Sequence, residues 1–485
     1  VSTTGSRTAR TAGSRATGSR TTGLLAAGAT FLAMLDSTVA NLAVPSLAGD
    51  FPGDTPAGTL SGISWVITLY AIVFAALLAP AGRFSDVIGR RALFCSGVAV
   101  FTVMSLLCAL APNLDVLVVG RGLQAIGAAA MVPASLAVVL TDTPSSQRTK
   151  TIGLWSAAGA LAAAIGPGLG GVLVEWVGWR SLFLINVPIG IVLFVAGLRR
   201  IGTGLRGGRV PDPIGTVILV LGVGLTVLGA TKGEEWGWSS PSTLLALGLG
   251  PVLVALVLLR STRHAVPVVE TTLWRNRTFL RANLAAMVYG AALFTWLLVG
   301  VLVLTEQWHY STLKAGLAMS PGALVASVTA IIASRVGERV GPRVISVVGS
   351  LTIFAVGVFC WVFLPENPHF TTFWLPLSFV IGFGIGLMSW SLSVAAVMSA
   401  SPVKFASATG MNIACRQVGG ALGIAAMTAV IAAEPGLSGY QLVYLVCGLC
   451  ALAAAAASAG FHFPKYVPAP APRSEATPAT EGTVR

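Results

Sequence analysis

The stretch LDSTVANLAVP, residues 35–45, places Asp36 inside an apolar segment long enough to cross a lipid bilayer. Asp36 is the one carboxylate deep within such a segment; Glu175 and Glu306 fall near segment ends, where solvation is easier. At 1.5 Å per residue it lies about 18 Å from Leu24, near the middle of a ~30 Å hydrocarbon core. At about 100° per residue, Ala29, Ala33, Ala40 and Ala43 share its face, which suits a cavity wall or a tight contact. A second charge, Arg121 in VVGRGLQAIGAAA, also sits within an apolar run, where an arginine costs roughly 2.5–3.5 kcal/mol on insertion scales. The chemistry open to these two groups is proton carriage. Burial favours the neutral carboxyl and a nearby cation favours the carboxylate, so a poised acid can load on one side and release on the other.

Other chemistry has no residues to carry it. His264, His309, His369 and His462 are scattered in or beside loops, with no spacing for a metal site or a catalytic triad. The six cysteines lie in apolar segments and read as packing residues, including Cys447 and Cys450 of a lone C-x-x-C. No cofactor is expected.

The elements that must position Asp36 and Arg121 are membrane helices. The 485 residues are 55% hydrophobic and only 10% charged, with mean hydropathy +0.84; soluble domains are about a quarter charged. Fourteen apolar spans are expected, the first over 24–46 and the last over 438–461. Of the 30 Lys and Arg residues, 25 fall in the N-terminal tail, in every second loop and in the C-terminal tail. The opposite loops hold only Arg180, Lys232 and Lys314, and Arg121 and Arg416 lie within spans. The positive-inside rule then puts both termini in the cytoplasm. The net charge of +13 is spread over short loops, so membrane lipid is an expected partner and nucleic acid is not. Residues 1–22 and 464–485 read as disordered tails.

An internal repeat organises the spans. GRFSDVIGRR (82–91) and SRVGERVGPR (334–343) align without gaps, Asp86 on Glu338 and Gly89 on Gly341. Each follows the second helix of its half on the same side. Two parallel six-helix bundles are expected, over 23–200 and 263–463, with two helices inserted at 201–262. In the first loop Gly82 and Gly89 permit tight turns, and Asp86 can meet a helix N-terminus or pair with Arg90 and Arg91. The alternative is an ordinary basic loop. In AIGPGLGG, Gly166 and Gly170 form a small-xxx-small pair around Pro167, beside Gly171, implying close helix contact and a bend. No strand or acidic residue supports a dinucleotide fingerprint there. Arg416, early in its span, is either functional or a snorkelling anchor. Trp65, Tyr70, Asn41, Gln124 and Arg416 are candidates for a cavity wall.

These stretches, in this order, resemble the major facilitator superfamily, specifically its fourteen-span drug:proton antiporter branch of the actinobacterial antibiotic-exporter type. LDSTVANLAVP, GRFSDVIGRR, VVGRGLQAIGAAA and GPGLGGVL carry the resemblance, with WRSLFLINVPIG and LWRNRTF. It implies that the 82–91 loop latches the two bundles, that Arg121 serves proton coupling with Asp36, and that GPGLGG marks an antiporter. It further implies a monomer in the plasma membrane that exports an antibiotic or other amphipathic molecule, the proton gradient being its energy source. A solute importer and a non-transporting membrane sensor are the competing readings.

Overall fold

The computed structural model describes residues 4–51, 56–202 and 210–462, with side chains from Thr21 onward except at 41, 42, 44, 45, 56–61, 167 and 312. The expected tail at 464–485 lies outside them. Among the described residues there are helices and no strands, as lipid requires when every backbone polar group must be satisfied internally.

The first half contains α1 (Thr4–Val39), α2 (Pro56–Ile88), α3 (Arg90–Ala109), α4 (Leu114–Asp142), α5 (Arg148–Val177) and α6 (Asn186–Arg200). Next come α7 (Pro213–Trp236), α8 (Pro241–Ser261) and α9 (Arg277–Leu302). The segment Thr312–Phe363 has 52 residues, which as one straight helix would run about 78 Å. It turns back at Gly341 (φ 82°) and forms α10 (312–340) and α11 (342–363). The chain ends with α12 (Leu375–Met398), α13 (Phe405–Ala433) and α14 (Leu437–Ala459). Gly89, the partner of Gly341 in the repeat, has φ 123°. Both repeat loops therefore turn on a left-handed glycine at the same aligned position.

Twelve described helices are long and apolar enough to cross a membrane. Splitting the α10–α11 segment and adding α5, whose two parts meet at 44°, gives the fourteen crossings expected. Polar side chains start several of them. Asn113 accepts from the Val116 amide, Ser240 from Thr243, and Asn276 from Thr278 and Phe279, each satisfying amides that a first turn leaves free.

Helix α1 begins at Thr4, within the segment read as a disordered tail; residues 4–22 contain no proline to interrupt it. The α-helix gives way to a 3-10 turn at Ala40–Ala43, and a new helix, Val44–Asp50, carries Pro45 in its first turn. Proline is tolerated there because its missing N–H has no partner to lose.

In the first half α4 packs on α1, α2 and α3, while α5 lies on α1 and α6 on α3. In the second half α9 packs on α12, α13 and α14, with the α10–α11 pair against α12 and α14. The halves meet along α2 with α13 and along α5 with the α10–α11 segment. These two seams correspond under the repeat. The inserted α7 covers only the α2–α13 seam, and α8 packs chiefly on α7. Many large side chains, such as Leu245 and Val192, stay exposed as lipid-facing helices require.

Candidate functional site

Asp36 on α1 is 0% exposed and Arg121 on α4 is 1% exposed. Arg121 Nη1 donates to Asp36 Oδ2 at 2.6 Å. Oδ1 of the same carboxylate accepts from Gln124 Nε2 at 2.9 Å and from Asn186 Nδ2 at 2.8 Å. The three-residue spacing of Arg121 and Gln124 puts both on one face of α4, where Gln124 Oε1 also accepts from Arg121 at 2.7 Å. Arg121 Nε donates to the Val66 carbonyl, and its guanidinium lies over the Tyr70 ring at 4.1 Å. Gln124 in turn donates to Ser105 of α3. Five helices of the first bundle thus close around one ion pair. Such a pair offsets its desolvation only when extra hydrogen bonds satisfy both ions, and removing one partner alone costs about 3–5 kcal/mol.

Asn186, at the start of α6, escaped the sequence reading; its signal was a lone amide in the apolar run SLFLINVPIG. Ala29, Ala33, Ala40 and Ala43 are all buried, so the small face beside Asp36 serves tight contact and not a cavity wall. The side chain of Asn41 lies outside the described residues.

The cavity is elsewhere. A space of about 180 Å³ lies between the bundles, walled by Met34 and Trp155 from the first and by Trp296, Met319, Trp374 and Arg416 from the second. Gln124, Trp65 and Tyr70, candidates for its wall, are not on it. Gln124 is held by Asp36, Tyr70 lies beneath Arg121, and Trp65 faces Lys232 of α7 at 4.9 Å. Arg416 does line it. Helix α13 starts at Phe405, so Arg416 is three turns in, about 16 Å from that end, and cannot snorkel out. The residues of α5, α9, α10, α12 and α13 nearest the face carrying the 82–91 loop contribute nothing to the wall. On α9, α10 and α12 the wall residues lie toward the opposite end, whereas on α5 and α13 they lie somewhat nearer the basic end.

On the basic face two related sets of contacts join the halves. Asp86, with its side chain 2% exposed, accepts from the backbone amides of Ala406 (3.3 Å) and Ser407 (2.7 Å) at the start of α13 and from Arg90 (3.1 Å). Here a carboxylate meets a helix N-terminus, where unpaired amides and the helix dipole favour negative charge. Arg90 also donates to Thr141 and to the Pro402 carbonyl, and Arg91 to the Leu198 carbonyl. Gly82 sits against the Ala406 backbone so closely that a Cβ would collide with its carbonyl. The aligned Glu338 reaches the start of α5, accepting from Thr149 at 3.3 Å and facing Lys150 at 3.4 Å. Its side chain is 34% exposed, a looser contact. Beside it Trp390 of α12 donates to the Thr149 carbonyl and fills the space over Gly337. Gly337→Ala would place a methyl inside that indole. The variant is expected to loosen this seam and lower the melting temperature, as thermal melts of the two proteins side by side would show.

A third link crosses the seam outside the helices. Glu270 lies 3.1 Å from Arg83 of the first bundle and 3.2 Å from Lys404 of the second. Burial pushes its carboxyl up, but Thr272, Lys404 and Arg83 outweigh burial and hold it below the usual glutamate range. A depressed carboxyl contributes stability above its unfolded value, about 4.3, and loses it as pH falls through the folded value. Glu270→Gln should therefore lower the melting temperature at pH 7, by about 1 kcal/mol of stability. The gap from wild type should close in acid, as paired melts across pH would record.

The glycines of the GPGLGG stretch in α5 make close contacts with both bundles. Gly166 packs against Thr38 of α1 with no room for a Cβ, a Cβ on Gly171 would come within 2.9 Å of Leu313 of α10, and Gly170 is buried. The side chain of Pro167 lies outside the described residues, but α5 bends there as expected.

Two helical bundles around a central cavity, joined at two repeat-related seams, define a membrane transporter rather than an enzyme. The model of the Major Facilitator Superfamily matches residues 26–424, and again 282–484, and the chain belongs to that family. It is 30% identical to the methylenomycin A resistance protein of Streptomyces coelicolor over 87% of this chain and 88% of that one. It is 32% identical to the cephamycin export protein CmcT of Amycolatopsis lactamdurans, over 88% and 87%. It is also 32% identical to the probable multidrug resistance protein EmrY of Escherichia coli, over 81% and 77%. The human organic anion transporter MFSD10 (TETRAN) shares the fold, with TM-score 0.64 over 91% of this chain and 99% of that one, at 14% identity.

Proposed function

We propose that the chain exports an antibiotic or similar amphipathic molecule from the cell by drug:proton antiport. Alternating access would occur in the plasma membrane, with both termini cytoplasmic. The observation that carries this reading is the Asp36–Arg121 pair, sealed in the first bundle two residues from the cavity-lining Thr38. The positive-inside asymmetry makes the latched face cytoplasmic, and closure of that face by the contacts of Asp86 and Glu338 corresponds to an outward-facing state. A proton reaching Asp36 removes the charge that Arg121, Gln124 and Asn186 all address. The guanidinium is left uncompensated, and the bundle relieves it by repacking, which weakens the latches and turns the cavity inward. Releasing the proton to the cytoplasm restores the pair and the latched state. A proton moving inward supplies about 2.3 kcal/mol per 100 mV, and the names of the relatives support the outward direction for the drug. The test is a resistance panel in cells with and without the chain. Raised tolerance that a protonophore abolishes supports export, and unchanged tolerance to every compound opposes it.

A further inference from the structure

We infer that the central cavity selects an amphipathic organic monoanion, its carboxylate or equivalent group held by Arg416; the inference rests on the transport reading above. Among the described residues Arg416 is the only ionisable charged side chain on the cavity wall, and no carboxylate accompanies it there. Among the described residues, none forms a hydrogen bond or ion pair with its guanidinium. The contrast with Arg121 is direct: that buried arginine has a carboxylate, an amide oxygen, a carbonyl and an aromatic face. A guanidinium three turns into a membrane helix needs equal compensation, and the open side of Arg416 is the cavity. Its planar fork matches a carboxylate at two points.

The remaining wall defines the rest of the ligand. Trp155, Trp296 and Trp374 supply apolar and aromatic surface for its body. Gln417, next to Arg416, adds an amide at the anionic end. Across the cavity, on the first bundle, the hydroxyls of Thr30 and Ser156 are buried without a hydrogen-bond partner. Both oxygens are sealed off from the cavity space, so the polar recognition falls to Arg416 and Gln417. A quaternary ammonium ion would meet Arg416 with no acid to oppose it.

The experiment is equilibrium dialysis of the purified full chain with three probes that share one ring system: 2-naphthoate, 2-naphthamide and (2-naphthylmethyl)trimethylammonium. The wild type is expected to bind the naphthoate at least tenfold more tightly than the amide, and the cation least. Arg416→Gln should weaken naphthoate binding at least tenfold and leave the amide unchanged, while Arg416→Lys keeps part of the preference. If Arg416→Gln does not fold, the Arg416→Lys data and the wild-type ranking decide alone. Equal or tighter binding of the cation, naphthoate binding indifferent to Arg416, or no naphthoate binding overturns the inference. Loss of the export reading would show separately: the resistance panel would then give no protection against any compound, whatever the dialysis ranking.

Discussion

Asp36→Asn is expected to abolish proton-driven efflux, with transport falling to the level of cells lacking the chain. The amide cannot carry the proton, and it cannot neutralise Arg121, 2.6 Å away in a site closed to solvent. The same change leaves a buried guanidinium without its counter-ion, a loss of about 3–5 kcal/mol, so the single variant should also melt early. The double variant Asp36→Asn with Arg121→Gln removes both charges together and separates these effects. It should recover most of the lost stability, since the remaining amides can still bond to one another. It should not recover coupling. Efflux by the double variant at wild-type rate would remove Asp36 from the mechanism.

Asp86→Asn is expected to have the second largest effect, by shifting the molecule out of its latched state. The carboxylate receives two backbone amides of α13 and Arg90. Hydrogen bonds to a charged group contribute about 1.5–3 kcal/mol each, and the helix terminus up to ~2. Asparagine retains part of the geometry but not the charge. A net loss of about 2 kcal/mol changes a two-state population roughly thirtyfold, enough to expose a state that was minor. Spin labels at Ser146 and Ser401, exposed on the basic face in different halves, would read this in a cysteine-free background. The long-distance population should rise sharply in Asp86→Asn and less in Glu338→Gln, whose contacts are longer and wetter. Equal effects of the two variants would deny the asymmetry between the latches.

The fourteen crossings were legible because lipid allows few alternatives: long apolar runs must be helices, and basic residues sort to one side. The pairing of Asp36 with Arg121 was legible for a related reason, since two charges deep in a membrane need compensation and each was the other's nearest remedy. Asn186 was not, because an amide carries no insertion penalty large enough to stand out among apolar neighbours. The partner of Asp86 lies 320 residues away at a helix start, Ala406–Ser407, with no distinctive side chain. Cavity membership was the weakest reading. Tyr70 and Gln124 turn into the first bundle, whereas Arg416 faces the cavity, and which way a helix is rotated between two bundles is set by packing on both. A snorkelling anchor is ruled out for a local reason: α13 starts at Phe405, which puts Arg416 about three turns into the helix.

The central claim is that a drug moving one way drives a proton the other way through Asp36. Inverted membrane vesicles from cells making the full chain, energised with lactate and reporting their acid interior through a quenched dye, test it most directly. Adding a compound to which the chain confers resistance should partly reverse the quench in wild-type vesicles and leave it unchanged in Asp36→Asn vesicles. A deeper quench, or accumulation of the compound with no proton movement, would contradict the account.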